Sequence, residues 1–561
     1  MTSRTKPWEL PHDAVDPQVP PEVEANEKDP LIAGKPIRDA ESLREFIDNL
    51  ADAFGYKMLL LLFATQFLLK GFTVELIRAA EPYIYKLYHV PADTMQIFQG
   101  VTSIPWVAKP IIGLVSDVLP INGYNKAPYM FIWSVLGIAA FATIATFHED
   151  TLPILGLVIA LFVIQMQTST SDLLSEAKYA ERMRGNPRHG PGLLTYVWFG
   201  MYVGSLAAVL CSGFVISRYG PYTVYFIGMF TAASVLYPVA MNYMEETQLS
   251  DEKIAKVRSH FWSQPELCFL CCLMLAVSVS LTILGLNYGP EVTSIAAVIS
   301  GLATLIAFGL VLTPVIAKFV MFSVLQSSLA LSVSGATFYF YTDTVEQFPE
   351  GPHFTPFFFN SVIGALSSIF SLLGIFLYQR YTSTWKYRHI FLVMNALFSL
   401  ACLTDILMFT RANVKIGIPD HIMIIGGTIF ENVFNTMLWM PQVVILSFMC
   451  PKGMEATMYA LLAGSHNLGS TISSNCGAFL LRKLSCTPSG LVGESAAFEN
   501  LWVAAVIATV LPMITISALF WLLPDARQNE NIPGVPEDDV CCGSLWRRWT
   551  GAETSTDVDV Y

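Results

Sequence analysis

The most constraining feature of this chain is a series of apolar runs, each roughly 20 residues long and nearly free of charge. A helix needs about 20 such residues to cross the ~30 Å hydrocarbon core of a bilayer. Backbone polar groups in that core must bond to one another, so only helices and closed barrels can cross it. A barrel strand would show alternating segments of about ten residues, and none is seen. The sequence therefore predicts an all-α polytopic membrane protein.

The apolar runs fall into blocks of six, two and six. They begin near Met58, Ile97, Pro128, Leu152, Leu193 and Tyr222, then near Leu267 and Val292, then near Phe319, Phe357, Ile390, Ile422, Tyr459 and Leu501. The predicted organisation is a cytoplasmic disordered tail (1–55), a six-helix bundle (56–243), a cytoplasmic loop (244–264), two extra central helices (265–314), a second six-helix bundle (315–523) and a cytoplasmic tail (524–561).

Basic residues support this arrangement, because Lys and Arg collect in cytoplasmic loops of membrane proteins. With a cytoplasmic N-terminus, the inner loops hold more of them than the outer loops, including the groups at 178–188 and 380–388. Removing one central helix would weaken the bias, whereas removing both would not. The strength of the two central runs favours fourteen helices over twelve.

Composition excludes several other classes of protein. Only 14% of the residues are charged, against about 25% in soluble domains. The net charge is −12, and the sequence shows no cluster of basic residues of the kind that binds nucleic acid. No nucleic-acid partner is therefore expected. The chain lacks a Gly-x-x-x-x-Gly-Lys-Ser/Thr loop, which argues against ATP as the driving force. Its nine histidines and ten cysteines show no metal-binding or catalytic spacing. We therefore expect no enzyme activity, metal or cofactor.

The two tails bear on the membrane address. The first is rich in carboxylates, unlike a signal or transit peptide, and the segment from Glu27 to Ile32 fits an acidic di-leucine sorting pattern. The plasma membrane is favoured, with a vacuolar or lysosomal membrane as the alternative. In the second tail, Cys541 and Cys542 are either palmitoylated near the inner leaflet or part of a plain disordered segment.

The two blocks of six helices share internal similarities. Inner-loop segments 113–117 and 374–378 each have a glycine at the helix end and basic residues about a dozen positions later. Gly200 and Gly204 in the fifth helix correspond to Gly464 and Gly469 in the later block. Such glycines let membrane helices approach closely, either for ordinary packing or for a moving interface. Two similar halves around a midplane site are typical of secondary transporters.

Two long strings point to a family. The segment Pro105–Asp117 (PWVAKPIIGLVSD) and the segment Cys450–Ser465 (CPKGMEATMYALLAGS) resemble the folate–biopterin transporters of the major facilitator superfamily. The resemblance covers about residues 56–523. It implies two six-helix bundles that rock about a central site, with protons as the driving ion. The chain departs from the superfamily at 125–126, where Asn-Lys replaces a pair of basic residues, and in its two central helices.

Ionisable groups inside membrane spans are costly and therefore functional candidates. We predict a substrate site formed by Lys70, Lys109, Glu431, Asn435, Trp439 and His466. Carboxylates accept hydrogen bonds from the N–H groups of a pterin, aromatic rings stack on it, and lysines pair with folate carboxylates. Lys109 is equally consistent with a gate partner of Asp117, and His466 with a packing histidine.

The remaining polar groups are assigned to coupling and gating. Asp405 is the candidate proton-binding residue. The candidate gating residues are Asp117, Asp172, Glu176, Lys452 and Glu455. Asp172 and Glu176 share a helix face and are expected to pair with Lys178 or Arg182, while Glu455 also fits a helix cap.

The overall prediction is a secondary carrier whose partners are a small polar solute, protons and the bilayer. Folate or pterin is the expected substrate, and S-adenosylmethionine or another small solute is the alternative. A receptor that kept the fold without transport is the rival from another class.

Overall fold

The computed structural model describes residues 42–186, 189–250, 265–449, 455–528 and 540–551, with isolated residues between 252 and 259 and between 530 and 535. In chain order the helices are α1 (Leu43–Phe54), α2 (Tyr56–Leu87), α3 (Ala92–Val118), α4 (Ala127–Thr146), α5 (Ile154–Met183), α6 (Gly192–Tyr219), α7 (Pro221–Ala240), α8 (Pro265–Asn287), α9 (Pro290–Val311), α10 (Pro314–Thr342), α11 (Phe357–Thr382), α12 (Tyr387–Phe409), α13 (Asp420–Leu446), α14 (Glu455–Lys483), α15 (Ser495–Leu522) and α16 (Leu545–Thr550).

The helices α2 to α15 correspond one for one to the predicted apolar runs. Thirteen of them, within the residues that the structure describes, are long and apolar enough to cross a membrane. The other, α14, has 29 residues but is rich in Ser, Asn and Gly. It packs against α3, α9 and α10 in the middle of the molecule, where other helices shield these polar groups from lipid.

The two six-helix bundles have the same internal packing. In the first, α2 contacts α6, α3 contacts α5, and α4 contacts both α5 and α7. In the second, α10 contacts α14, α11 contacts α13, and α12 contacts both α13 and α15. Between the bundles, α3 packs on α14 and α6 packs on α11, so the second helix of each half meets the fifth helix of the other. The predicted repeat of two similar halves is confirmed.

The central helices α8 and α9 bridge the halves. They pack on each other, α8 also contacts α3 of the first bundle, and α9 contacts α10 and α14 of the second. We call the side with α1, the loop 119–126 and α16 the termini side. The opposite side, with the loops 88–91, 343–356 and 484–494, is called the far side.

Close helix packing depends on the glycines of the repeat. A Cβ atom at Gly204 would lie 2.3 Å from the carbonyl oxygen of Phe67, and one at Gly200 would overlap the Phe67 ring. A Cβ at Gly464 would lie 3.0 Å from the carbonyl oxygen of Val107, and one at Gly469 2.8 Å from Ser327. The predicted close approach at both glycine pairs is therefore present.

The predicted disordered tail is wrong for residues 43–54, which form α1. Ser42 accepts a hydrogen bond from the N–H of Glu45 and caps the helix, and Gly55, with φ 84°, separates it from α2. Phe46, Ile47 and Leu50 recur at helical spacing, and Leu50 is buried. Residues 1–41, with the sorting pattern, lie outside the described residues.

The second tail is packed where it is described. The carbonyl oxygen of Val540 accepts hydrogen bonds from the N–H and the hydroxyl of Thr313, at 2.8 and 2.7 Å. Arg547 Nε lies 3.1 Å from Glu266 Oε1, and Cys541 is buried. A plain disordered tail is therefore wrong for residues 540–550, and burial removes Cys541 from contact with an acylating enzyme.

Candidate functional site

Two cavities meet between the halves of the molecule. The amino lobe, of about 770 Å³, is lined mainly by α2, α3 and α6, with further residues from α5, α10 and α14. The carboxyl lobe, of about 660 Å³, is lined by α10, α12, α13, α14 and α15. Ser470 of α14 lines both lobes. α10 also contributes to both lobes, through Ser334 and Val333. The lobes thus adjoin at α10 and α14, as expected for a midplane site between two bundles.

The helices that line the lobes are irregular there. α2 has wide turns from Phe63 to Thr73, the segment that carries Lys70. α10 loses its helical conformation between Leu329 and Ser334, and the intervening residues line the carboxyl lobe. Irregular backbone at membrane depth is tolerated where it lines a cavity. This placement marks the lobes as the polar interior of the protein.

A proline opens the α3 backbone toward α14. Pro110 has no N–H to bond the carbonyl of Trp106, four residues earlier. That carbonyl instead accepts a hydrogen bond of 3.2 Å from Asn467 Nδ2. The helix is interrupted at Ala108, between Pro105 and Pro110, and the interruption supplies a polar contact between the halves.

A buried ion cluster lies in the first bundle. The Asp172 carboxylate bridges two lysines, with Oδ1 2.7 Å from Lys70 Nζ and Oδ2 2.6 Å from Lys109 Nζ. Glu176 approaches the same lysines at 3.4 and 3.8 Å. Two positive and two negative charges balance. The Asp172 side chain has no exposed surface. The two lysines therefore offset the large desolvation cost of an ionised carboxylate inside a membrane.

The cluster is completed by an amide. Gln66 Nε2 donates to Asp172 Oδ1 at 3.2 Å and to Ser175 Oγ at 2.9 Å. A buried charge is stable only when its lone pairs are also satisfied. Lys70 and Gln66 come from the same wide-turn segment of α2, so that segment fixes the cluster.

Two predicted partners were wrong. Asp172 and Glu176 do not pair with Lys178, which lies 3.1 Å from Glu181, or with Arg182, which pairs with Glu245. The reason is helical direction: both carboxylates face the bundle interior, where α2 and α3 present their lysines. Lys109 likewise pairs with Asp172 and not with Asp117.

Lys70 is the member of the cluster that reaches the cavity. It lines the amino lobe and keeps 20% of its side chain exposed. Lys109 does not line the lobe. Its ammonium group lies 4.8 Å from the centre of the Trp106 ring, and it is Trp106 that lines the lobe. Lys109 can therefore hold Asp172 while Lys70 engages an anion.

The carboxyl lobe presents an aromatic and amide wall. The rings of Trp439 and His466 are 5.1 Å apart, and His466 Nδ1 lies 3.1 Å from both Ser323 Oγ and Ser327 Oγ. Asn435 also lines this lobe. Three of the predicted substrate-site residues thus come together.

Asp405 and Glu431 form the acidic part of this half. Asp405 lines the carboxyl lobe and the Tyr341 hydroxyl faces it. Glu431 does not line the lobe; its carboxylate accepts a hydrogen bond of 3.4 Å from Thr404. Neither carboxyl has an ion pair among the described residues. The predicted direct contact of Glu431 with the cavity is therefore not seen.

Sequence reasoning missed Glu81, a third carboxyl of this kind. It lines the amino lobe, is 8% exposed, and accepts hydrogen bonds from Tyr85 and Thr102. The preceding turn carries a more conspicuous pair of charges, Glu75 and Arg78, whose side chains lie 2.7 Å apart. The sequence feature that could have identified Glu81 is a carboxyl residue directly before Pro82 within an apolar run.

Ion pairs hold the two halves together on the far side. Lys86 of α2 lies 2.6 Å from Asp343, and Asp93 of α3 lies 2.7 Å from Arg482 of α14. We call these two pairs the far-side latch. Every ion pair between residues 56–243 and 315–523 in the described chain belongs to it. Burial raises the pKa of Asp343 above its ordinary value despite Lys86, so falling pH on the far side protonates Asp343 and weakens that pair.

The other predicted gating residues lie on the termini side. Asp117 is near the end of α3 and forms no ion pair with a described residue. Lys452 lies outside the described residues. Of Glu455, the structure describes only the backbone position, as the first residue of α14.

The ion cluster predicts non-additive stabilities. Asp172→Asn leaves two lysines facing only Glu176, and we expect a loss of about 3–5 kcal/mol. Adding Lys109→Met restores charge balance, so the double variant should be more stable than Asp172→Asn alone. Thermal unfolding of the detergent-solubilised variants measures both.

The control is Lys386→Met, which breaks an exposed pair with Asp525 and should cost less than about 1 kcal/mol. If the double variant lost as much stability as Asp172→Asn and Lys109→Met lose separately, added together, the shared neutralisation of Asp172 would be contradicted.

Solved structures with a similar fold are transporters. A POT family transporter in complex with 5-aminolevulinic acid has a TM-score of 0.58 at 14% identity, covering 84% of this chain and 97% of that one. Peptide transporter POT in complex with sulfate has a TM-score of 0.57 at 15% identity, covering 85% and 99%. A D-xylose–proton symporter has a TM-score of 0.51 at 14% identity, covering 86% and 98%. The fold is that of the major facilitator superfamily.

Sequence relatives agree with the fold. The BT1 family model matches residues 70–535. "Probable folate-biopterin transporter 6" of Arabidopsis thaliana is 24% identical, covering 84% of this chain and 82% of that protein. The "Folate-biopterin transporter" of Synechocystis sp. is 26% identical, covering 78% of each. "Folate transporter 1" of Plasmodium falciparum is 22% identical, covering 79% and 75%. The chain is thus a multi-pass membrane transporter, and it belongs to the BT1 family.

Proposed function

We propose that this protein is a secondary carrier that moves folate or an unconjugated pterin by alternating access, coupled to protons. The observation that carries the proposal is the pair of adjoining lobes, one presenting a lysine and the other an aromatic and amide wall. The names of the relatives, folate-biopterin transporter and folate transporter, support the substrate class.

The carboxyl lobe suits a pterin ring. The ring has a flat aromatic face, which Trp439 and His466 can stack against. Its amide and amino N–H groups are donors that Asp405 accepts, and Asn435 offers both a donor and an acceptor. A volume of about 660 Å³ lies within the usual range for small-molecule sites.

The amino lobe suits the carboxylates of a folate. Lys70 is a cation at the cavity surface, and Lys109 remains to neutralise Asp172 when Lys70 turns to a ligand. An anion can therefore enter without leaving Asp172 unpaired. An unconjugated pterin lacks these carboxylates and does not need Lys70.

Alternating access is supported by the packing of the halves. The latch closes the far side, whereas the described termini side has no ion pair between the two bundles. We infer that the described arrangement is closed toward the far side and that the next step of the cycle breaks the latch.

Proton coupling is assigned to Asp405, with Glu431 nearby. Both carboxyls are half-buried and have no ion-pair partner in the described chain, and a proton removes the cost of an unpaired charge at membrane depth. For the membrane address we propose the plasma membrane, with a vacuolar or lysosomal membrane as the alternative, because the carboxylate-rich N-terminal segment is unlike a transit peptide.

The function is tested by uptake of labelled folic acid, biopterin and S-adenosylmethionine into cells that express the protein, at two external pH values. We expect saturable uptake of folic acid or biopterin, stronger at acid pH, and none above background in cells with empty vector. Absence of uptake of all three, with the protein confirmed at the surface, would favour another solute or a receptor.

The role of Lys70 predicts a selective defect. Lys70→Ala removes a charge-assisted hydrogen bond of about 1.5–3 kcal/mol, so the KM for folic acid should rise about tenfold or more. Biopterin uptake should change less than about twofold. Lys386→Ala is the control, since Lys386 pairs with Asp525 and lines neither lobe, so the uptake of both solutes should be unchanged. Equal losses in the Lys70 variant would reject the assignment.

The role of Asp405 predicts a defect in coupling. Asp405→Asn is neutral at every pH, so pH-driven accumulation should be lost while exchange of labelled for unlabelled solute continues. Both are measured in proteoliposomes with and without a pH gradient. Accumulation that still follows the gradient as in the unaltered protein would show that the proton binds elsewhere.

A further inference from the structure

Glu81 is a carboxyl buried at membrane depth in the first bundle. It is 8% exposed and lines the amino lobe beside Pro82 and Gln99. Its Oε1 accepts hydrogen bonds from Tyr85 Oη at 3.2 Å and from Thr102 Oγ1 at 3.3 Å. Its contacts tie α2 to α3, and it faces the space through which a solute would pass.

The surroundings of Glu81 supply hydroxyls but no cation. On its own helix, Arg78 pairs with Glu75 and keeps 71% of its side chain exposed. The neighbouring α3 contributes the Thr102 hydroxyl. From α7, Tyr225 is buried and its hydroxyl has no hydrogen-bond partner. α6 has Arg218 as its only charged residue, and no ion pair joins it to Glu81. In the described chain, therefore, no ion pair neutralises a negative charge here.

The same hydroxyls fit both protonation states. An ionised carboxyl accepts from Tyr85 and Thr102, whereas a protonated one donates to one of these oxygens, because a hydroxyl can rotate and act either way. The ion cluster at Asp172 is different, since its fixed ammonium groups favour only the ionised form. Glu81 is thus built to gain and lose a proton without rearrangement of its neighbours.

Glu81 also lies on the segment that carries the far-side latch. Pro82 follows it and deprives the carbonyl of Arg78 of its helical partner, which makes this turn a natural bending point. Lys86, five residues after Glu81, holds Asp343 at 2.6 Å. Movement of this helix end both opens the latch and uncovers the turn that carries Glu81.

We propose that Glu81 is a second proton-binding site of the transport cycle, loaded from the far side when the latch is open and enclosed when it closes. The proton adds to the carboxylate from far-side water and leaves toward the termini side after the halves rock. This role rests on the proposed transport function and adds a proton site in the first half to Asp405 in the second.

The test uses purified protein in proteoliposomes, with labelled folic acid and biopterin. Glu81→Gln should keep exchange at equal pH within about twofold of the unaltered protein. Its accumulation should no longer respond to the pH gradient. Glu75→Gln is the matched control: it lies on the same helix and lobe but has a cation partner, so its pH response should remain. A normal pH response in Glu81→Gln would overturn the proposal.

Thr102→Val gives a second variant that leaves the carboxyl in place. Removing one donor disfavours the ionised form, so the pH midpoint of accumulation should move upward by about one unit. An unchanged midpoint would also count against Glu81. If the unaltered protein transports neither solute, the proposed substrate is wrong. If it transports a solute without any pH response, proton coupling and the role of Glu81 are both rejected, while the assignment as a carrier stands.

A measurement without solute separates these cases. In infrared spectra recorded across a pH titration of the purified protein, Glu81→Gln should lack one carboxyl band that titrates in the unaltered protein. Asp405→Asn should retain that band. Identical titrations of the unaltered protein and Glu81→Gln would overturn the proton site whatever solute is carried.

Discussion

The first half of this molecule depends on the neutralisation of Asp172. Its carboxylate has no exposed surface and lies between two ammonium groups at 2.7 and 2.6 Å. A single lysine would leave either a charge or an oxygen without a partner. Because the lysines belong to α2 and α3 and the carboxylates to α5, the charge balance fixes the positions of three helices. The wide turns of α2 and the proline-flanked break of α3 are the local irregularities that bring the two lysines to one carboxylate.

Movement between the halves is constrained by the contacts that cross them. The far-side latch and the contacts of α3 with α14 must change when the halves rock, and α8 packs on α3 while its partner α9 packs on α14. The packed C-terminal segment ties Val540 to Thr313 at the start of α10, and Arg547 to Glu266 of α8. These ties fasten the central helices to the second half. In the proposed cycle, the interface between α8 and α3 therefore slides together with the contacts of α3 with α14.

The sequence predicted the architecture well because lipid imposes simple rules. Run length gave the helices α2 to α15, and the glycine pairs gave the close contacts. It failed at α1, where Phe46, Ile47 and Leu50 form an amphipathic helix too polar to be recognised as a membrane span, and at the packed segment 540–550. For the site, it selected residue types that do converge, such as Trp439 with His466. It mispaired Asp172 because its partners are about 60 to 100 positions away in the chain, and no local spacing reveals which lysines face it.

The two halves share a packing pattern but differ in charge. The two lobes of the cavity therefore present opposite charges to a solute. The first half holds a neutral cluster with one lysine at the cavity surface, and the second holds Asp405 and Glu431 without a cation in the described chain. In the proposed cycle, an anionic solute is drawn to Lys70 and repelled by ionised Asp405. Protonation of Asp405 would remove that repulsion, so binding of the anion and binding of the proton would favour each other. We propose that the two similar halves provide the rocking motion and that their unequal charges couple this motion to a proton.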